Sequence, residues 1–324
     1  MKNPPFEINS KILTLVLEIG ELIGKVNVEN RIGANPVLRR KNRIRTIYSS
    51  LAIEQNSLDI EQVTAVIHGK HIIAPPKDIA EVLNAYEIYE HMDMLDPYSE
   101  ADLLKAHAVM VRDLVGEAGQ YRTRPVGIVD RAGNIIHFGT LPQYVPGLVE
   151  ELLEWVKTSE IHILIKSCVF HYEFELIHPF ADGNGRIGRL WHTLLLSKWN
   201  ALFAWLPIES IIHDNQQGYY DAINLSNSNG ESTAFIEFML GVIKEALLQV
   251  VDGSGVTGEI KDKRIIRENI IFDYLQTHNC ICNKDLQLLL GVSSATATRL
   301  LTSLVTSGKL RRIRAGKQWA YENK

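Results

Sequence analysis

Residues 178–189 read HPFADGNGRIGR. An imidazole, a carboxylate, an asparagine between glycines and two arginines fall within this one short stretch. A helix opening near Gly185 leaves its first backbone N–H groups unpaired and carries the positive end of the helix dipole. Gly183 and Gly185 let the backbone approach a ligand with no Cβ in the way. The result is a cradle for an anion, and polyphosphate suits it, with Asn184, Ile187 and Gly188 completing the loop and first turn. Arg186 and Arg189 stand three apart, so both are expected on one side of that turn, each able to fork two donors onto phosphate oxygens. Asp182 opposes a bare phosphate, so it either caps the helix or holds a Mg²⁺ that bridges it to the phosphates. His178 ends an apolar stretch just before Pro179 and titrates near neutrality, so it can take a proton from an attacking hydroxyl. The chemistry that fits is attack of a hydroxyl on a nucleotide phosphate, with a magnesium-bound diphosphate leaving. Phe180 reads as a plug into the core.

The elements that must position these residues are helical. Apolar residues recur at helical spacing over 8–26, 37–56, 77–92, 99–115, 144–160, 185–200 and 232–251. A short helix is expected from Ser57 to Ile67 with Ser57 as its cap, and Ser99 caps another. Residues 162–178 are apolar nearly all round, as a central buried helix requires. Residues 121–142 differ: VGIV, the turn signal DRAGN and IIHF predict a hairpin flap. VDGSGVTGEI, at 251–260, reads as a linker. Beyond it come three helices and an alternating pair of segments turning at Ala315-Gly316, the pattern of a winged helix-turn-helix over 262–324.

Composition bounds the remaining classes. Of 324 residues 46% are hydrophobic and 22% charged, ordinary for a globular protein of two or three domains. Neither a membrane-length apolar run nor a signal peptide is present, so a cytoplasmic location and no membrane partner are expected. Cys168, Cys280 and Cys282 form neither a zinc signature nor a disulfide framework, and are expected as mostly buried thiols. The net charge of −4 conceals an asymmetry. Residues 262–324 hold 11 Lys/Arg against 5 Asp/Glu, while the remainder holds 23 against 33. Modules with different partners follow from that contrast.

The stretch His178–Arg189 resembles the signature HxFx(D/E)GNGRxxR of the Fic family at every defining position. The resemblance extends over roughly 35–245, through the flap, LLEW at Leu152–Trp155 and YYDAINLSN at 219–227. It implies an all-α fold: a Fic helical bundle with a small β-hairpin flap, here followed by the winged-helix module. By this resemblance 1–110 is an N-terminal helical region and 111–250 the catalytic core. The implied activity is transfer of AMP from Mg-ATP to a Ser, Thr or Tyr hydroxyl of a target protein, ATP and Mg²⁺ being required. His178 is then the base, Asp182 the metal ligand, and Gly183, Asn184, Gly185, Arg186, Ile187, Gly188 and Arg189 the phosphate-binding set. Tyr219, Tyr220 and Asn227 line the nucleotide pocket, and Asn134, Ile135, Ile136 and His137 of the flap align the target. Ser50-Leu51-Ala52-Ile53-Glu54, within about 45–56, is similar to the inhibitory motif (S/T)xxxE(G/N), with Gln55 departing from the final position. Glu54 and Ser50 would then restrain Arg189 and exclude a γ-phosphate.

Other readings stand beside these. A glutamate at Glu54 is also an ordinary solvated helix charge, Tyr219 and Tyr220 are also core residues, and His137 is also a turn residue. His107, His162, His171 and His192 read as satisfied core or surface histidines, and RRKNRIR (39–45) as a solvated helix face rather than a nucleic-acid patch. Ser294, Thr296, Arg299, Arg311, Arg312, Arg314 and Lys317 could meet a DNA duplex, or the module could dock or dimerise. DNA through 262–324 and a homodimer are therefore open expectations. So are a DNA-binding regulator with a nucleotide-sensing domain, another nucleotide, and AMP removal as the main activity.

Overall fold

The computed structural model describes residues 3–29, 36–129, 135–251, 271–272, 274–275, 278, 280–290, 292, 294–306, 309–315 and 318–323. Its centre is a pair of helices, α7 (Ile163–Ile177) and α8 (Asn184–Trp199), joined by the loop 178–183. Twelve residues of each are buried, including His171 and Glu173 on α7 and Arg186 and Arg189 on α8, so both are core helices on all sides. Phe170, Phe174 and Phe180 are fully buried. Each contributes about 1.5–3 kcal/mol from burial.

Of the other helices, α2 (Pro36–Ile53), α5 (Glu100–Met110) and α6 (Val145–Thr158) pack on this pair, α3 (Ile60–Ile67) and α4 (Pro76–Glu90) pack on α2, and α1 (Ser10–Glu29) packs on the last helix of the unit. Three further helices, α9 (Ile208–Asp214), α10 (Gln216–Asn229) and α11 (Thr233–Val251), complete the first compact unit, residues 1–252. Neither α9 nor α10 was expected from periodicity. The stripe α10 buries is Gln216, Tyr219, Ala222 and Ser226, helical in spacing but mostly polar or small. The antiparallel flap strands β1 (Gly127–Val129) and β2 (Ile135–Phe138) lie between α5 and α6 in the chain, with an irregularity between Ile128 and Val129.

α2 is held by buried polar groups. Glu209, itself 1% exposed, accepts from Tyr89 (3.1 Å) on α4, Thr193 (3.1 Å) on α8 and Thr46 (3.3 Å) on α2. A buried carboxyl is tolerated because hydroxyls satisfy its oxygens. Nor is the arginine-rich segment a solvated face throughout. Arg43 is buried, with its guanidinium 4.7 Å from the Trp205 ring centre, 5.4 Å from that of Tyr89 and 3.4 Å from Glu90. Cation–π contact and an ion pair make that burial acceptable.

The end of α2 determines where Glu54 points. Gln55 N–H donates to Ala52 O (3.1 Å) and Asn56 N–H to Leu51 O (3.1 Å), with Gln55 left-handed at φ 68°. This is a Schellman stop, whose left-handed position favours Gly and next Asn. Gln55 therefore supplies the required conformation at a steric cost. The next helix, α3, is capped not by Ser57 but by Asp59, which with Gln62 forms a reciprocal capping box. The side chain of Ser57 instead hydrogen-bonds Asp78.

The second compact unit spans residues 253–324. Its described helices α12 (Asn283–Leu290) and α13 (Ser294–Thr306) follow a short strand β3 (Ile281–Cys282) and precede the hairpin β4 (Leu310–Ala315) and β5 (Gln318–Asn323). The expected two-stranded wing thus gains a third strand, in the order β3-β5-β4. Cys168 is buried, but Cys280 and Cys282 are only half-buried. Residues 252–260 of the expected linker lie outside the described residues. Among the described residues no helix is long and apolar enough to cross a membrane.

Replacing Gln55 with Gly should raise stability by about 0.5–1 kcal/mol, since glycine enters the left-handed region without a Cβ clash. A higher thermal midpoint for Gln55→Gly checks this; an unchanged or lower one contradicts the strain at that position.

Candidate active site

The loop between α7 and α8 is built from three stapled contacts. His178 closes α7 in the left-handed region (φ 52°), its N–H donating to Phe174 O. Asn184 then reaches back over the loop, accepting from Phe180 N–H and donating to Phe180 O, both at 2.8 Å. Phe180 is stacked on His107, with ring centres 3.7 Å apart. His107 accepts at Nδ1 from Gly119 N–H (2.9 Å) and sits with Nε2 3.0 Å from Asp182 O. That pattern assigns the hydrogen to Nε2, and burial lowers the proton affinity of this ring, keeping it neutral. His107, read from the sequence as a satisfied histidine, is satisfied by the loop itself.

Gly183 is the N-cap of α8 at φ 84°, and a Cβ there would press on Val111 (2.8 Å). Asp182 does not cap α8. Its carboxylate accepts from Gly183 N–H (2.6 Å) and from Arg186 (2.8 Å), and remains 44% exposed.

The two arginines diverge. Arg186 is clamped between Asp182 and Glu81 of α4 (3.2 Å), and Glu81 also accepts from Asn56 (2.8 Å). Arg189 turns instead to the end of α2, donating to Ser50 Oγ (3.1 Å), Ser50 O (3.0 Å) and Glu54 Oε1 (2.7 Å). The expectation that both guanidinium groups face one ligand is therefore not met in this state. Burial alone would lower the proton affinity of Arg189, but Glu54, Tyr219 and Glu175 together outweigh it and hold the guanidinium firmly charged. The Glu54 carboxylate also lies against Gly185, where an added Cβ would collide with Oε1. An internal carboxylate thus sits at the first turn of α8, where an anion is stabilised.

A cavity of about 280 Å³ opens beside this pair. Of the residues singled out in the sequence, His178, Gly185, Arg189, Glu54, Tyr219, Tyr220 and Asn227 line it. Tyr219 is 2% exposed and its hydroxyl meets His171 Nε2 (3.1 Å), so it serves core and cavity at once. Asn227 accepts from Tyr172 (2.9 Å) and Tyr220 from Gln216 (3.3 Å). Ile187 is wholly core. Gly188 faces α7 rather than the cavity, where a Cβ would crowd Glu175 (3.1 Å) and His171 (3.2 Å). Of the flap residues, Asn134 lies outside the described residues, and Ile135, Ile136 and His137 are placed as strand backbone.

Sequence reasoning did not single out several residues here. Glu175 and Asn224 line the cavity. Arg122, 2% exposed, donates to His178 O (2.6 Å), Ile177 O (3.3 Å), Arg124 O (3.0 Å) and Thr140 O. It thereby fastens the left-handed turn at His178 to both ends of the flap segment. No local motif marks such a residue, because its partners are carbonyls 2 to 56 positions away. Glu175 was legible only as part of a helix pattern.

The Fic/DOC family profile matches residues 97–196. The chain is 40% identical to a Fic family protein from Desulfovibrio desulfuricans G20, whose crystal structure matches with a TM-score of 0.75, covering 99% of this chain and 98% of that chain. With this similarity along both chains, the present chain belongs to the Fic family. It is also 27% identical to Protein adenylyltransferase fic-1 of Caenorhabditis elegans over 65% of this chain and 42% of that protein. To Protein adenylyltransferase Fic of Nematostella vectensis it is 28% identical, over 60% and 45% respectively. The chain covers less than half the length of these two curated relatives.

Arg122→Ala should cost about 3 kcal/mol of unfolding free energy, since several charge-assisted bonds are lost and buried carbonyls are left without a donor. Denaturant unfolding measures it; a loss below about 1 kcal/mol would mean the carbonyls find other donors.

Proposed function

We propose that this chain is a protein adenylyltransferase, transferring AMP from ATP to a Ser, Thr or Tyr hydroxyl of a target protein, and that Glu54 restrains it. The observation that carries the reading is the placement of Glu54. Its carboxylate stands at the first turn of α8 and is paired with Arg189 at 2.7 Å, where the terminal phosphate of ATP would otherwise be received. The names of the curated relatives support the choice of AMP as the group transferred.

In the proposed reaction the target hydroxyl attacks the α-phosphorus of ATP, forming an oxygen–phosphorus bond while pyrophosphate departs. The hydroxyl proton passes to His178, which borders the cavity and whose ring is 20% exposed. Gly185 and the first turn of α8 provide the anion cradle, and Arg189 becomes available once Glu54 leaves. Tyr220, Asn224 and Asn227 border the part of the cavity assigned to the nucleoside. The half-exposed carboxylate of Asp182 fits a Mg²⁺ held by one protein ligand and phosphate oxygens. When bound, that ion neutralises charge on the departing pyrophosphate. The restraint is then an occupancy effect, with Glu54 and a γ-phosphate competing for one guanidinium and one helix start.

A second reading concerns the C-terminal unit. Arg311, Arg312 and Arg314 are exposed on β4, and Arg312 stacks at 3.7 Å on the half-exposed Trp319 ring. With the basic balance of 262–324, this favours contact with a DNA duplex through phosphates. Anisotropy of a labelled duplex with the full chain tests it. Binding should weaken steeply between low and physiological salt, and more so in Arg312→Ala/Arg314→Ala; no binding at low salt removes this reading.

Glu54→Gly should raise incorporation of label from α-³²P-ATP into protein about tenfold or more, because Arg189 loses its competing carboxylate. Equal incorporation by the parent chain and the variant would contradict the restraint. His178→Ala in the Glu54→Gly background should abolish incorporation while ATP affinity changes by less than about threefold, since the cradle is largely backbone. Loss of binding together with activity would make His178 a structural residue.

A further inference from the structure

We propose that Glu175 is a positioning residue for His178: its carboxylate, one helical turn before the imidazole, stabilises the imidazolium formed in the reaction. The inference rests on His178 as base, as set out above.

Glu175 and His178 stand at i and i+3 near the end of α7, on the face that lines the cavity. His178 Nδ1 lies 3.3 Å from Glu175 O and 3.9 Å from Glu175 Oε2. The carbonyl is within hydrogen-bond distance of Nδ1, whereas the carboxylate stands at ion-pair distance from the ring. The backbone carbonyl alone would fix the tautomer. Only the carboxylate adds a charge that favours the protonated ring.

The carboxyl is 14% exposed and is held in place rather than solvated. Its Oε1 rests against α8 at Gly188, a position where a side chain would crowd it. That oxygen is buried and has no hydrogen-bond partner. The other oxygen, Oε2, is the one that faces His178, so an imidazolium formed during turnover meets a carboxyl already held in place.

The charged and titratable neighbours come from several elements. His171 Nε2 on α7 is 3.9 Å from Oε1, while Arg189 on α8, Glu54 after α2, and Tyr219 and Tyr220 on α10 share the cavity. Arg122 meets His178 only at its carbonyl; of His137 only the backbone is described. Burial pushes the Glu175 carboxyl up to about 7; Arg189 pulls it down and the like charge of Glu54 pushes it further up.

The test is the titration of the His178 ring by nitrogen-15 NMR in full-length Glu54→Gly, with and without Glu175→Gln, a near-isosteric change. Removing the charge should lower the His178 midpoint by about one pH unit, a tenfold change in proton affinity. Glu175→Asp should recover part of that shift. In the Glu54→Gly background, the acidic limb of the pH–rate profile for AMP incorporation should move with the NMR midpoint. A His178 midpoint unchanged by Glu175→Gln, in a variant whose thermal unfolding matches the parent, overturns the inference. The NMR readout needs no turnover, so a shifted midpoint without AMP incorporation would uphold this inference and defeat the proposed activity instead.

Discussion

The contact between Glu54 and Arg189 is the constraint around which the site is arranged. A guanidinium 2% exposed must have a partner, because an unpaired buried charge is several kcal/mol unfavourable. Here that partner comes from a different helix, delivered by the turn that ends α2. The same carboxylate lies on Gly185, so it also satisfies the positive end of α8. Two requirements of the central helix are met by one side chain that does not belong to it. Any anion that displaces Glu54 must meet both.

Much of the surrounding structure keeps the two sides of this contact in register. Glu209 binds hydroxyls from α2, α4 and α8, and Arg43 is buried among Trp205, Tyr89 and Glu90. These contacts fix the body of α2, whereas its last turn depends on a left-handed Gln55. A second bridge, Asn56–Glu81–Arg186–Asp182, runs beside the first and ends on the half-exposed carboxylate of Asp182. Both arginines of α8 are in this way paired with carboxylates from the N-terminal region. Arg122 joins the His178 turn to the base of the flap.

The helical character of the body and the position of the loop were legible because they rest on local signals: 3.6-residue periodicity, glycines at a helix start, and a histidine before proline. Glu54 was legible only through resemblance, since nothing local distinguishes it from a solvated helix charge. What could not be read are the roles decided by tertiary packing. Arg186 and Arg189 have the spacing to share a ligand, yet neighbouring carboxylates draw them apart. Gly188 belongs to the contact between α7 and α8, and Ile187 to the core. α10 escaped periodicity because its buried stripe is mostly polar or small. Glu175 escaped because burial, not sequence, makes it unusual among helical glutamates. Ser57 lost its cap role to Asp59 because Asp59 finds Gln62 three residues on.

The central claim is that Glu54 and the terminal phosphate of ATP compete for one place. Calorimetric affinities of ATP and ADP for the parent chain and for Glu54→Gly test it most directly. The account predicts that the parent binds ATP no more tightly than ADP, and that Glu54→Gly gains at least about tenfold for ATP with little change for ADP. The same ATP-to-ADP ratio in both proteins would contradict it, because Glu54 would then not occupy the site of the terminal phosphate.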